Sequence, residues 1–149
     1  MRVADVPGET ALVEVGDMLA EGIHQVDSPV VDAAGNLYLT YSGGRGQKVP
    51  VSIYRVPPGG VREIFVTELT NPTSMAIGPD GLLYVTSRFD GTVSRIDPEG
   101  DVEVVARDLG VACGLAFDRE GRLVVGDRAG RILRVDAPDQ CSVVATLPP

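Results

Sequence analysis

The side chains able to do chemistry are few in this chain and far apart. His24 is its one histidine, so neither a His-based dyad nor a two-histidine metal site can form within these residues. It is either a residue at the mouth of a channel or an ordinary loop histidine. Asp27, in "DSPVVD", is either a metal ligand or base facing a binding site, or the cap of the turn ahead of Pro29. Arg88, Phe89 and Asp90 form a charged, partly aromatic cluster, and Asp127 with Arg128 forms a second one about forty residues on. Such clusters suit a ligand-binding rim, and they equally suit exposed turns. The glycine-rich run from Gly43 to Lys48 lacks the spacing, the Lys-Ser/Thr ending and the following helix of a phosphate loop, so it reads as a hairpin insert.

The elements that must hold these residues come from a repeat. Gly35, Gly81 and Gly121 are spaced 46 and 40 residues apart, and Arg55, Arg95 and Arg134 follow at spacings of 40 and 39. A period near forty, with four short strand-like runs in each unit, is the pattern of a β-propeller blade. In the second unit the runs are "SMAIG", "LLYVTS", "TVSRID" and "VEVVARDL", separated by Pro79-Asp80-Gly81, Asp90-Gly91 and Glu99-Gly100-Asp101. Those separators are turn chemistry. Several runs are apolar on both faces, which stacked sheets require.

The expected fold is therefore all-β: a propeller of four-stranded antiparallel blades, with about three and a half blades present. Residues 1–20 supply the outer two strands of one blade, and residues 27–69, 71–109 and 111–147 supply three complete ones. Residues 12–19 also fit a helical spacing, but their match to the repeat register favours strands. An arc of this kind does not close, so it belongs to a larger ring or is completed by further chains, and its bare blade faces invite self-association. Within this scheme Arg88, Phe89, Asp90, Asp127 and Arg128 follow second strands and approach one end of the ring. The repeated arginines sit on third strands, where Asp97 and Asp136 are the expected partners. Cys113 and Cys141 fall on the innermost and outermost strands of one blade, roughly 14 Å apart at about 4.8 Å per strand, beyond the reach of a disulfide.

Composition excludes several classes. Hydrophobic residues make up 44% of the 149, too many for a disordered tail. No apolar run approaches the roughly 18 residues of a membrane span, and no signal peptide is visible. A formal net charge of −8, 5% aromatic residues and no tryptophan argue against a nucleic-acid partner.

"NPTSMAIGPDGLLYVTSRFDGTVSRIDPEG" and "GLAFDREGRLVVGDRAGRILRVD" resemble the repeats of NHL-type six-bladed propellers, closest in texture to the SMP-30/gluconolactonase-like group that includes the streptogramin lyases. In the lactonase branch the resemblance implies a divalent cation, calcium or zinc, at one mouth of the central channel. Its ligands come from the start of innermost strands, eight residues ahead of each hairpin glycine. Here Asp27, Thr73 and Cys113 hold that register. Asp27 matches an acidic first-blade ligand, whereas Thr73 and Cys113 replace the expected asparagine. A threonine is a weak ligand, and a lone thiolate suits zinc better than calcium.

The function expected is a scaffold that binds a small molecule or a protein through loops at the ring's mouth. The rival is a metal-dependent lactonase or lyase, with Asp27 as one ligand and its other site residues in further blades.

Overall fold

The computed structural model describes residues 26–41 and 50–148. Among them are twelve strands and no helix. The first sheet holds β1 (Val26–Val31), β2 (Leu37–Tyr41), β3 (Pro50–Val56) and β4 (Glu63–Thr70). The second holds β5 (Pro72–Ile77), β6 (Leu83–Ser87), β7 (Thr92–Ile96) and β8 (Val102–Ala106). The third holds β9 (Ala112–Phe117), β10 (Leu123–Asp127), β11 (Arg131–Ala137) and β12 (Gln140–Thr146). Every sheet is an antiparallel up-and-down meander in chain order, and none closes on itself. β1 lies beside β5, and β5 beside β9, so the first strands of the three sheets are the innermost. This is a partial β-propeller. The two strands expected over residues 1–20, and the insert from Gly43 to Lys48, lie outside the described residues.

The hairpins form because each turn carries its own cap. In the first, Asp32 Oδ1 accepts hydrogen bonds from the amides of Ala34 (3.0 Å) and Asn36 (2.9 Å). In the third, Asp118 Oδ1 accepts from Glu120 (3.0 Å) and Arg122 (2.8 Å). The recurring glycine completes each turn in the left-handed region, with φ of 86° at Gly35, 79° at Gly81 and 78° at Gly121, where a side chain would be strained.

Two apolar joints hold the sheets together. Tyr38, Ile53 and Val66 of the first sheet pack on Met75, Leu83, Val85 and Ile96 of the second. Val93 and Ala106 of the second pack on Ala112, Leu123, Val125 and Leu133 of the third, with Leu109 of the linking segment between them. Burying each large aliphatic side chain in these joints contributes about 1.5–3 kcal/mol. Tyr38 meets Phe65 with ring centroids 5.2 Å apart, and Tyr84 meets Phe117 edge-on at 4.9 Å. Hydroxyls stitch the joints further. Ser28 Oγ accepts from the Met75 amide (2.8 Å), and Thr86 Oγ1 donates to the Cys113 carbonyl (2.8 Å).

One expectation about the arginines is corrected. Arg134 does pair with Asp136 at 2.6 Å. Arg55 and Arg95 instead turn across their sheets, to Glu63 (2.7 Å) and to Glu103 respectively. The cause is register: Arg55 stands directly opposite Glu63, and Arg95 opposite Glu103. Arg134 faces Ser142 instead. Cys113 and Cys141 are both free thiols, on opposite edges of the third sheet.

Candidate functional site

At the mouth end of the sheets, where the innermost strands begin, all three first hairpins break register in the same way. The shifts fall between Asp27 and Val30, between Pro72 and Ser74, and opposite the Val125–Asp127 step. In each the innermost strand carries one residue more than its partner, a bulge that bends the strand and re-aims side chains. Thr73 and Cys113 lie on these bulges.

Between the second and third sheets the bulged strand starts and the adjoining loops enclose a depression of about 790 Å³. Thr73, Arg88, Phe89, Cys113 and Arg128 line it, together with Gly110 and Val111 of the linking segment. Five residues singled out in the sequence thus share one wall-to-wall space. Phe89 is 44% exposed, and the Arg88 guanidinium lies 5.7 Å from its ring centroid. Thr73 Oγ1 donates to the Asn71 carbonyl (3.1 Å) and Cys113 Sγ to the Val111 carbonyl (3.3 Å).

Backbone and buried polar groups fix the loops that shape this space. The Leu109 amide donates to the Gly91 carbonyl at 3.0 Å, and the Arg128 amide to the Val111 carbonyl at 3.1 Å. Ser87 Oγ donates to the Thr70 carbonyl at 2.6 Å. The closest approach is at Gly91 (φ 62°), where an added Cβ would stand 2.6 Å from the Gly110 carbonyl oxygen. No other residue type fits there without moving one of the two loops.

Asp127 serves the same frame. Its buried carboxylate accepts from the amides of Val111 (3.3 Å) and Ala129 (3.1 Å) and from Arg131 Nε (2.7 Å). The Ala129 amide is the chief cause of a pKa held below the usual carboxylate value; burial opposes it, and Arg131 and the Val111 amide add to it. The side chain therefore positions the rim and does not face the depression. Asp90 also stands apart, lining a groove near β8 with Thr92, Ser94 and Val102. Asp27 is described only as backbone, paired with Thr40, and His24 lies outside the described residues. Val111 and Gly110 were not foreseen as part of the site. Their signal was available, because a glycine just past a strand run, as in "ARDLGVACG", marks a tight link between blades.

Among the described residues, the donor set does not suit the divalent cation that the family resemblance implies. Calcium binds six to eight oxygens and favours carboxylates. The described residues of the lining offer one hydroxyl already donating to backbone, one thiol and two guanidinium cations. Among the described residues no group of three His, Cys, Asp or Glu side chains could hold a metal ion. Also among them, no helix is long and apolar enough to cross a membrane.

No protein-family model matches the chain, and no curated protein matches its sequence. Solved structures do match in fold. A streptogramin B lyase superimposes with a TM-score of 0.67 at 18% identity, covering 83% of this chain and 41% of that one. Regucalcin from Agrobacterium tumefaciens, described as a calcium-binding protein, gives 0.64 at 21%, covering 80% and 44%. A gluconolactonase from Xanthomonas campestris gives 0.63 at 21%, covering 97% and 56%. The likeness is to the propeller fold of lyase, lactonase and regucalcin structures. The chain spans roughly half the length of each of these proteins, between 41% and 56%.

Proposed function

We propose that this propeller segment is a binding scaffold, and that the depression between its second and third sheets receives a small ligand. One observation carries the proposal: Thr73, Cys113, Arg88, Phe89 and Arg128, drawn from two strand starts and two loops, converge on a single space. Propeller mouths gather residues from successive blades in this way, and an apolar ring beside a few polar groups is the usual make-up of a ligand site. The rigid latching of the loops means the space is preformed, so little ordering opposes binding.

The lactonase alternative has the fold in its favour, since a gluconolactonase and a calcium-binding regucalcin share it. Fold does not carry activity by itself. Lactone hydrolysis in that manner needs a metal-activated water or metal-polarised carbonyl with a carboxylate base, and two arginines beside the strand starts work against a bound cation. A fragment screen followed by amide chemical shifts tests the scaffold proposal. Binders should perturb Thr73, Phe89, Val111 and Cys113 together. Hits that gather at the opposite turns, around Asp32 and Asp118, would contradict it.

A further inference from the structure

We infer that the ligands of this mouth are small organic anions, with Arg88 and Arg128 taking a carboxylate or phosphate group while Phe89 packs the apolar remainder. The inference rests on the depression being a binding site. It begins from a mismatch of charge. The chain carries 21 Asp and Glu against 13 Lys and Arg, yet among the described residues two guanidiniums line this depression and no carboxylate does.

Among the described residues, two acidic side chains near the mouth lie outside the lining of the depression. Asp127 is buried against Arg131 and two amides. Asp90 lines the separate groove beside Val102. Much of the remaining acidity lies at the other end of the sheets, where Asp32, Asp97 and Asp118 accept hydrogen bonds from their own turn amides. A walled, partly apolar space focuses the field of the two arginines more than open solvent would. A planar guanidinium also matches carboxylate and phosphate oxygens in its donor geometry. Phe89 offers an exposed ring face beside Arg88, so an aryl or other flat apolar group would have a wall to lie on. Arg88 and Arg128 come from equivalent loops of the second and third sheets, while the first repeat has Ser42 at that register, so the arginine pair belongs to this one space between sheets.

Amide-detected titrations of the chain with benzoate, phenyl phosphate and benzamide test the inference, benzamide being the neutral counterpart of benzoate in shape. At least one anion should shift Thr73, Phe89, Val111 and Cys113 and bind about tenfold or more tightly than benzamide. A response to benzoate alone would assign carboxylates, and one to phenyl phosphate alone would assign phosphates. Raising salt should weaken the anion and leave benzamide unchanged. Arg88→Gln with Arg128→Gln should abolish the preference; should that pair fail to fold, Arg128→Gln alone, at an exposed position, should reduce it several-fold. Equal binding of benzoate and benzamide would overturn the anion inference and leave the binding site standing. Titrations in which no probe moves these amides would overturn both.

Discussion

The two ends of these sheets are built by the same hairpin repeat but use polar side chains in opposite ways. At the turn end, Asp32 and Asp118 occupy equivalent places and each caps two amides, and in the second turn, where Gly78 holds that place, Asp80 caps the Leu82 amide. At the mouth end the equivalent places change character, from Thr73 to Cys113 on the bulges and, in the loops, from "SRFD" to "DRAG", where the arginine alone is kept and the first repeat has Ser42 in its place. Residues that recur from unit to unit answer a need every blade has. Residues that differ while the backbone around them stays latched answer a need of one place only. The joints between sheets belong with the turn end in this respect, since both are filled by the same kind of aliphatic strand residues.

That division can be tested by its consequences for stability. Leu109 is fully buried in the second joint, so Leu109→Ala should cost about 2–5 kcal/mol, read as a lower denaturation midpoint in urea. A loss below about 1 kcal/mol would mean the joint is not the packed core described. Next in size is Asp127. Asp127→Asn should destabilise by about 1–3 kcal/mol, because two amides and Arg131 lose their charged acceptor, with the effect seen in thermal melts. The same group sets a pH signature. Its folded pKa lies below the usual carboxylate value, so its stabilisation is fully present above the unfolded pKa and is lost as pH falls through the lower folded value. The wild type should therefore lose stability below about pH 4 more steeply than the Asn variant; parallel acid titrations would show that Asp127 carries no such load.

Smaller effects sharpen the comparison. Glu103→Gln removes the exposed partner of Arg95 and should change stability by no more than about 1 kcal/mol. Phe89→Ala should stay within about 0.5 kcal/mol of wild type, since its ring is exposed and lies outside both apolar joints. A large destabilisation there would move Phe89 from the mouth to the frame. Smallest of all is the effect of calcium. Micromolar additions should leave the melting midpoint where it was, and a clear upward shift would revive a cation site at the strand starts.

Much of this architecture was legible in the chain because its signals are local. Gly81 and Gly121 mark turns by backbone chemistry alone, and runs such as "LLYVTS" state their strand character within six residues. The mouth was only half legible. The loop positions of Arg88 and Arg128 followed from the repeat, but the bulges did not, because one extra residue at a strand start leaves no periodic trace. The pairing of Arg95 with Glu103 was missed for a related reason. It depends on cross-strand register, which a candidate partner at the same strand's end, Asp97, concealed. Asp127 looked like a rim residue because sequence places it in the loop, while its burial comes from Val111 and Arg131 reaching it in space.

The two cysteines offer a direct comparison of the local fields. Cys113 lines the mouth with Arg88 and Arg128, whereas burial and the carboxylates of Asp136, Asp139 and Asp108 push the Cys141 thiol up. Each can be labelled with a dianionic aryl disulfide and with a neutral dipyridyl disulfide, and the rates read per site by peptide mass spectrometry. Taking the ratio of the two reagents at each site cancels differences in thiol exposure and ionisation. The anionic-to-neutral ratio should be several-fold higher at Cys113 than at Cys141, should fall towards it at about 0.5 M salt, and should drop at Cys113 alone when Arg88 and Arg128 become glutamine. Equal ratios at the two sites, or a Cys113 ratio indifferent to those substitutions, would contradict an anion-receptive mouth.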